Sequence, residues 1–190
     1  MPNQENTKTM RRFVIDTDTA SDDAVALIMA LRDPSIIVEA ITVVAGNVPL
    51  DLAVKNALIS IQAANTYSPP VYKGMSRPLM RELFTSEFVH GSDGMGEMEL
   101  PQPKRRVEVG HAVDALIERI LAMPNELEIV ALGPLTNLAM ALIREPTIAG
   151  KIKNTVIMGG TGTGYGNITP VAEYNFFVDA EAARIVLKSG

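Results

Sequence analysis

The 190-residue chain has no cysteine and no tryptophan, and only two histidines. Without cysteine, disulfides and thiolate zinc sites are both excluded, which fits a cytoplasmic location. Basic runs interleaved with aromatic residues are missing as well, and the net charge is −5. A nucleic-acid backbone or an anionic membrane is therefore a poor partner. No apolar stretch is long enough to span a bilayer; the best one, Ile36 to Ala45, is interrupted by Glu39. The first ten residues are polar and lack the apolar segment of a secretory leader. They read as a disordered tail at 1–10, followed by a single domain over 11–190. At 47% hydrophobic residues, that domain has enough apolar side chains for a real core.

What the chain does have is four aspartates within eight residues: Asp16, Asp18, Asp22 and Asp23. Phe13 to Ile15, just before them, is apolar and β-prone. Ala24 to Leu31, just after, carries apolar residues at helical spacing. The acids thus fall where a buried strand hands over to a helix, and in an open α/β sheet ligands bind in the crevice at such strand ends. Two carboxylates in contact repel by roughly 4 kcal/mol at an effective dielectric of 20. Four together call for a cation, protons or hydrogen-bond donors, and a hard divalent cation with oxygen ligands is the simplest answer. Helix N-capping by Ser21, Asp22 and Asp23 accounts for part of the cluster, but not for Asp16 and Asp18.

Along the chain, strand and helix signals alternate. Strands are expected at Arg12–Ile15, Ile37–Val44, Pro70–Tyr72, Leu127–Leu132 and Thr155–Met158. Helices are expected at Asp22–Arg32, Leu50–Asn65, Gly110–Ala122, Leu135–Arg144 and about Asp179–Lys188. This order predicts an α/β, Rossmann-like fold, with a mostly parallel sheet flanked by helices on both faces. One long segment, Arg81 to Val109, lacks regular signals and reads as a lid over a pocket mouth.

Two enzyme classes compete for the acidic segment. Asp16-Thr17-Asp18-Thr19 after an apolar strand matches the signature of haloacid-dehalogenase-type phosphatases, in which Asp16 would be the nucleophile, Asp18 the acid/base and Mg²⁺ the cofactor. The longer pattern Asp-x-Asp-x-x-x-Asp-Asp resembles the nucleoside hydrolases, the inosine-uridine-preferring N-ribohydrolases, and uses all four acids. Further matches follow in family order: Gly46-Asn47, then Gly133-Pro134-Leu135-Thr136-Asn137, then Met158-Gly159-Gly160, Gly166-Asn167 and Glu173-Tyr174-Asn175. Each has a plainer reading as turn, cap or surface residue; together and in order they favour the hydrolases.

The resemblance implies hydrolysis of the N-glycosidic bond of ribonucleosides, in nucleoside catabolism and base salvage, by a homo-oligomer acting on a small-molecule substrate. It implies Ca²⁺ as cofactor, held by Asp18, Asp23 and the carbonyl of Leu132, with Asp18 also taking the proton of a calcium-bound water. Asp22, Asn167, Glu173 and Asn175 would hold the ribose hydroxyls, Asn47 would lie beside metal and ribose, and Met158 would line the ribose pocket. Asp16 would order the cluster from behind, and His90 would act near the base. Purine-selective members stack the base between tryptophans, so a chain without tryptophan points to uridine and inosine. This chain departs from the family at Thr19-Ala20, where Pro-Gly is usual. The family also continues past the position of Gly190 with a further aspartate ligand and a histidine. The expectation is therefore a domain incomplete at its C-terminal side, with an open sheet edge and little activity by itself.

Overall fold

Apolar residues run almost unbroken along the strands and recur at three- and four-residue intervals along the helices, and the two patterns meet on both sides of one sheet. A computed structural model describes residues 10–162 and 164–190. The expected tail at 1–10 lies, Met10 apart, outside the described residues. Five strands, β1 (Arg11–Thr17), β2 (Ile36–Val43), β3 (Val71–Lys73), β4 (Leu127–Ala131) and β5 (Asn154–Ile157), are all parallel and lie in the order β3-β2-β1-β4-β5. The helices are α1 (Ser21–Arg32), α2 (Leu50–Ala64), α3 (Glu87–His90), α4 (Ala112–Ala122), α5 (Thr136–Arg144), α6 (Tyr174–Val178) and α7 (Ala180–Leu187), with a 3-10 helix at Pro146–Lys151. The α/β, Rossmann-like architecture anticipated from the alternating signals is present.

Phe13 and Ile15 pack with Leu27 and Leu31 of α1 and with Ala53, Ala57 and Ile61 of α2. Val14, pointing the other way as strand geometry requires, packs with Leu116 and Ile120 of α4, Leu138 and Leu142 of α5, and Val186 of α7. Leu27, Leu116 and Ile120 are fully buried, and each contributes on the order of 2 kcal/mol of apolar burial. A bulge in β2 adjusts the alternation. Phe13 pairs with Val38 but Val14 with Ala40, leaving Glu39 as an extra residue. Val38 and Ile41, three residues apart, consequently share the α1/α2 face. Glu39, the acid that interrupts the apolar run, is bonded to Arg12 and lies 3.9 Å from Arg119.

From β1 the chain moves outward through β2 and β3, then returns to place β4 and β5 on the opposite side. The topological switch point lies between β1 and β4, so a crevice opens beyond their carboxyl ends. The ladder extends into that crevice: Leu132 N–H donates to the Asp16 carbonyl (2.8 Å), Val44 N–H to Thr17 (3.0 Å) and Met158 N–H to Ala131 (2.8 Å). Loops following four different strands are thereby brought to one place.

Element boundaries differ from expectation by one or two residues, and one difference matters. β1 runs on to Thr17, so Asp16 is a strand residue inside the sheet and not the first residue of the loop. The helices α3 and α6 and the 3-10 helix are too short to leave a periodic signal. The segment expected to be a lid, Arg81 to Val109, is pinned to the body. Ser86 N–H donates to the Asn47 carbonyl (2.8 Å), Asn56 Nδ2 to the Asp93 carbonyl (3.0 Å) and Glu108 N–H to the Val71 carbonyl (2.8 Å). Among the described residues no helix is long and apolar enough to cross a membrane.

Candidate active site

At the floor of the crevice two aspartates of β1 and its loop are wholly buried. Asp16 is 0% exposed; its Oδ1 accepts from Thr42 Oγ1 (2.5 Å) and Asn137 Nδ2 (2.8 Å), while Oδ2 has no partner. Burial pushes its carboxyl up to about 7, against the pull of those two donors. Asp18, also 0% exposed, accepts the Asn47 N–H on Oδ2 (2.6 Å), and its Oδ1 is unpartnered. Glycines wall it on both sides. A Cβ at Gly46 would lie 2.2 Å from Asp18 Oδ2, and one at Gly133 would lie 2.6 Å from Oδ1. These two positions have no room for a side chain, so the Gly-Asn and Gly-Pro turns are steric parts of the site.

Asp23 joins Asp18 from the first turn of α1. Its Oδ2 accepts from Thr17 Oγ1 (2.5 Å), which also contacts Thr19 Oγ1 (2.8 Å). Burial raises the Asp18 carboxyl well above the usual range, with the charge of Asp23 adding to it. Burial likewise raises Asp23, to about 6, with the charge of Asp22 adding. Capping does not explain the cluster: the N-cap of α1 is Ala20, and no side chain caps it.

Above this floor a cavity of about 300 Å³ opens. Asp22 and Asp23 reach it from α1, Asn47 from the loop after β2, Leu132 from the loop after β4 and Met158 from the loop after β5. Asn167, Glu173 and Asn175 approach around the start of α6, and His90 from α3. Nine of the eleven residues singled out in the sequence thus line one cavity, and the other two, Asp16 and Asp18, lie buried at its floor. Their local roles follow from their bonds. Asn175 Nδ2 donates to the carbonyls of Leu132 (2.7 Å) and Met158 (3.1 Å), which leaves its own buried Oδ1 without a partner. Glu173 is no surface acid: at 7% exposure it accepts the N–H groups of Asn175 (2.9 Å), Phe176 (3.1 Å) and Gly160 (2.8 Å). Asn167 Oδ1 accepts the Tyr174 N–H (2.8 Å). Gly159 also serves packing, since a Cβ there would lie 2.5 Å from the Phe176 ring.

Several lining residues carried no signal in the sequence. Ser86 bonds Asn47 Oδ1 through its hydroxyl (2.5 Å), a contact that exists only because the segment after β3 folds back over the loop after β2. Phe88, Val89 and Ile168 complete the apolar side. Tyr174, between two residues that were singled out, donates its hydroxyl to the Phe84 carbonyl (2.6 Å), and burial raises its phenol. The other histidine, His111, is elsewhere: its Nδ1 accepts the Val113 N–H (3.2 Å) at the start of α4.

The donor set suits a hard cation. Of the three unpartnered buried oxygens, Asp18 Oδ1 and Asn175 Oδ1 are the two that an oxygen-seeking ion or a hydroxyl would satisfy, while Asp16 Oδ2 belongs to a residue inside the sheet. Among the described residues no three carboxylate or imidazole side chains could hold an ion by themselves. A cation beside Asp18 and Asp23 therefore needs further oxygen ligands, and Leu132, whose carbonyl accepts from Asn175, borders the same cavity.

Comparison with known proteins agrees with this geometry. Residues 13–190 match the family model described as inosine-uridine preferring nucleoside hydrolase. Uridine nucleosidase 1 of Arabidopsis thaliana is 41% identical over 180 residues, which are 94% of this chain and 54% of that protein. A solved plant nucleoside hydrolase, the PpNRh1 enzyme, superposes with a TM-score of 0.91 at 40% identity, over 95% of this chain and 57% of that one. The purine-preferring ribonucleoside hydrolase from Gardnerella vaginalis superposes with a TM-score of 0.90 at 35% identity, over 94% and 58%. The chain spans little more than half the length of these relatives.

Proposed function

We propose that this chain, which belongs to the inosine-uridine preferring nucleoside hydrolase family, carries the site for hydrolysing the N-glycosidic bond of ribonucleosides to ribose and free base. The reading is carried by one observation. A wholly buried carboxylate, Asp18, held between two obligatory glycines, keeps one oxygen unpartnered beneath a cavity that Asp23, Asn47, Glu173 and Asn175 border. A desolvated carboxylate of this kind suits a proton acceptor or a cation ligand.

Asp18, Asp23 and the Leu132 carbonyl are the residues that would hold Ca²⁺, which when bound supplies a polarised water of lowered pKa. Asp18 accepts the proton of the attacking water as its oxygen bonds to C1′ of the ribose. The C1′–N bond breaks with its electron pair leaving on the base, through an oxocarbenium-like state. Asp22, Asn167, Glu173 and Asn175 hold the ribose hydroxyls, and the carboxylates near the sugar stabilise its developing positive charge. A deoxyribose would leave some of these groups, of which Glu173 and Asn175 are buried, without their partner and is discriminated against on that ground. Asn47 orients Asp18 through its N–H, Met158 borders the sugar, and His90 lies towards the base. Asp16 works from beneath by hydrogen-bonding to Asn137 and Thr42.

The phosphatase alternative needs Asp16 as an exposed nucleophile. Asp16 is instead a strand residue inside the sheet, its Oδ1 taken by Thr42 and Asn137, and the family match favours the hydrolase reading. For base preference, the missing tryptophan favours uridine and inosine. The test is a panel of ribonucleosides assayed for released ribose, with and without a chelator. Release from uridine or inosine that a chelator abolishes is expected, at a low level for the 190-residue chain. Phosphate release from a generic phosphomonoester, with no ribose from any nucleoside, would overturn the reading.

A further inference from the structure

We infer that Ser21 is a positioning residue that fixes the orientation and tautomer of His90, so that His90 offers an Nε2–H donor to whatever occupies the cavity. The inference rests on the proposed nucleoside site only for the identity of that occupant. Ser21 opens α1, directly before the acidic pair, and its Oγ lies 2.9 Å from His90 Nδ1. The two residues are 69 positions apart, so the contact is made by the fold alone. It closes a ring around the aspartate loop. Asn56 Nδ2 donates to both the Thr19 carbonyl (3.2 Å) and the Asp93 carbonyl (3.0 Å), and so ties the same two segments together a few residues away.

Which nitrogen carries the proton follows from the donors and acceptors within reach. Among the described residues, His90 Nδ1 is the side-chain atom that the Ser21 hydroxyl meets. If Nδ1 held the proton, it would donate to Oγ and leave the hydroxyl proton without a protein acceptor. With the hydroxyl donating, Nδ1 is the acceptor, and the neutral ring must carry its proton on Nε2. His90 borders the cavity, and its Nε2 makes no hydrogen bond among the described residues. The ring therefore presents a donor of fixed direction, matched to an acceptor atom such as a nucleobase carbonyl. Without Ser21 the ring is free to turn and to exchange tautomers, and part of its neutral population offers a lone pair instead.

The protein contains two histidines, which makes the test direct. Nitrogen-15 NMR of the imidazoles at a pH of about 8, where an ordinary histidine is neutral, should show both rings as the Nε2–H tautomer. His111 is the internal standard, because its Nδ1 already accepts the Val113 N–H. In Ser21→Ala the His90 pair should move to averaged shifts while His111 stays unchanged, which also reports an intact fold. Ser21→Thr should restore the fixed tautomer. In the ribose-release assay Ser21→Ala should raise KM roughly fivefold, the equivalent of one hydrogen bond, with a smaller effect on kcat. An averaged or Nδ1–H signal for His90 in the unmutated protein would overturn the inference. So would a Ser21→Ala spectrum identical to it. Absence of ribose release from any nucleoside would count against the proposed function, while the NMR result would still decide the role of Ser21.

Discussion

Asp18 has almost no freedom: two glycines close on its carboxylate and an N–H from Asn47 takes one oxygen. Asp18→Asn removes a charge without adding volume, so the fold should survive while ribose release falls by a factor of at least about 10². Near-normal release from that variant would show that another group accepts the proton. Gly133→Ala must push Asp18 aside, since the new methyl would also come within 3.0 Å of the Asp18 backbone nitrogen. It should cost about 1–3 kcal/mol of stability and be as inactive as the aspartate variant. The buried acids also set a pH signature for metal-free protein. Asp16 and Asp23 titrate near 7 and 6 when folded, against an ordinary 3.8. Their contribution is greatest below 3.8 and is lost as pH rises through 6 and 7. Glu128 runs the opposite way. Its hydrogen bond to the Arg11 guanidinium depresses it from 4.5 to about 2, so its contribution is complete above 4.5 and is lost as pH falls through 2. Chelator-treated protein should thus melt highest at a pH of about 4 and progressively lower towards neutrality. Added calcium should raise Tm more at pH 7 than at pH 5. A metal-free Tm that climbs from pH 5 to 7 would contradict this account of the acids.

The short helix α6 is an element made by its cap. Five residues are too few to form a helix by propensity, and Glu173 supplies what is missing by accepting two of its first N–H groups and, across the turn, that of Gly160. This one side chain ties the start of α6 to the loop after β5, and Asn175 then reaches the Leu132 carbonyl from a defined angle. Glu173→Ala strands three N–H groups and should cost about 2–4 kcal/mol. Glu173→Gln, which keeps acceptor oxygen on a side chain of the same length, should recover part of that. Thermal denaturation of the two variants checks the order. The connection from Arg81 to Val109 owes its position to similar side-chain ties, including the Arg81–Glu181 pair (2.8 Å) and Asn56.

The sheet as a whole has two different edges. Beyond β3 the segment around Glu108 covers the strand: its N–H donates to Val71, and Lys73 bridges to His111. β5 is bonded to β4 alone among the described residues, and near it Val156 and Leu187 are 49% and 60% exposed. Unpaired strand edges with apolar side chains invite association. The 190-residue chain should therefore self-associate with rising concentration in size-exclusion chromatography with light scattering, and Val156→Lys should suppress this. A monodisperse monomer at all concentrations would show that the β5 edge is protected.

Local pattern alone was enough for part of this protein. The unbroken apolar run Phe13-Val14-Ile15 and the spacing of Ala24, Leu27 and Leu31 specify strand and helix, because a strand covered on both faces is apolar throughout and a helix covered on one face is apolar at intervals of three and four. The order of these elements specifies a parallel sheet, and a dense group of aspartates at a strand end marks the site, because such charge is too costly to gather without a use. Other features needed the folded chain. The extension of β1 through Asp16 depends on pairing with β2 and β4, which no local signal encodes. Ser86 meets Asn47, and Ser21 meets His90, across 39 and 69 residues, where one polar residue looks like any other until packing chooses its partner. The raised carboxyls of Asp16 and Asp23 likewise come from burial, a property of the assembled molecule and not of the four letters in the chain.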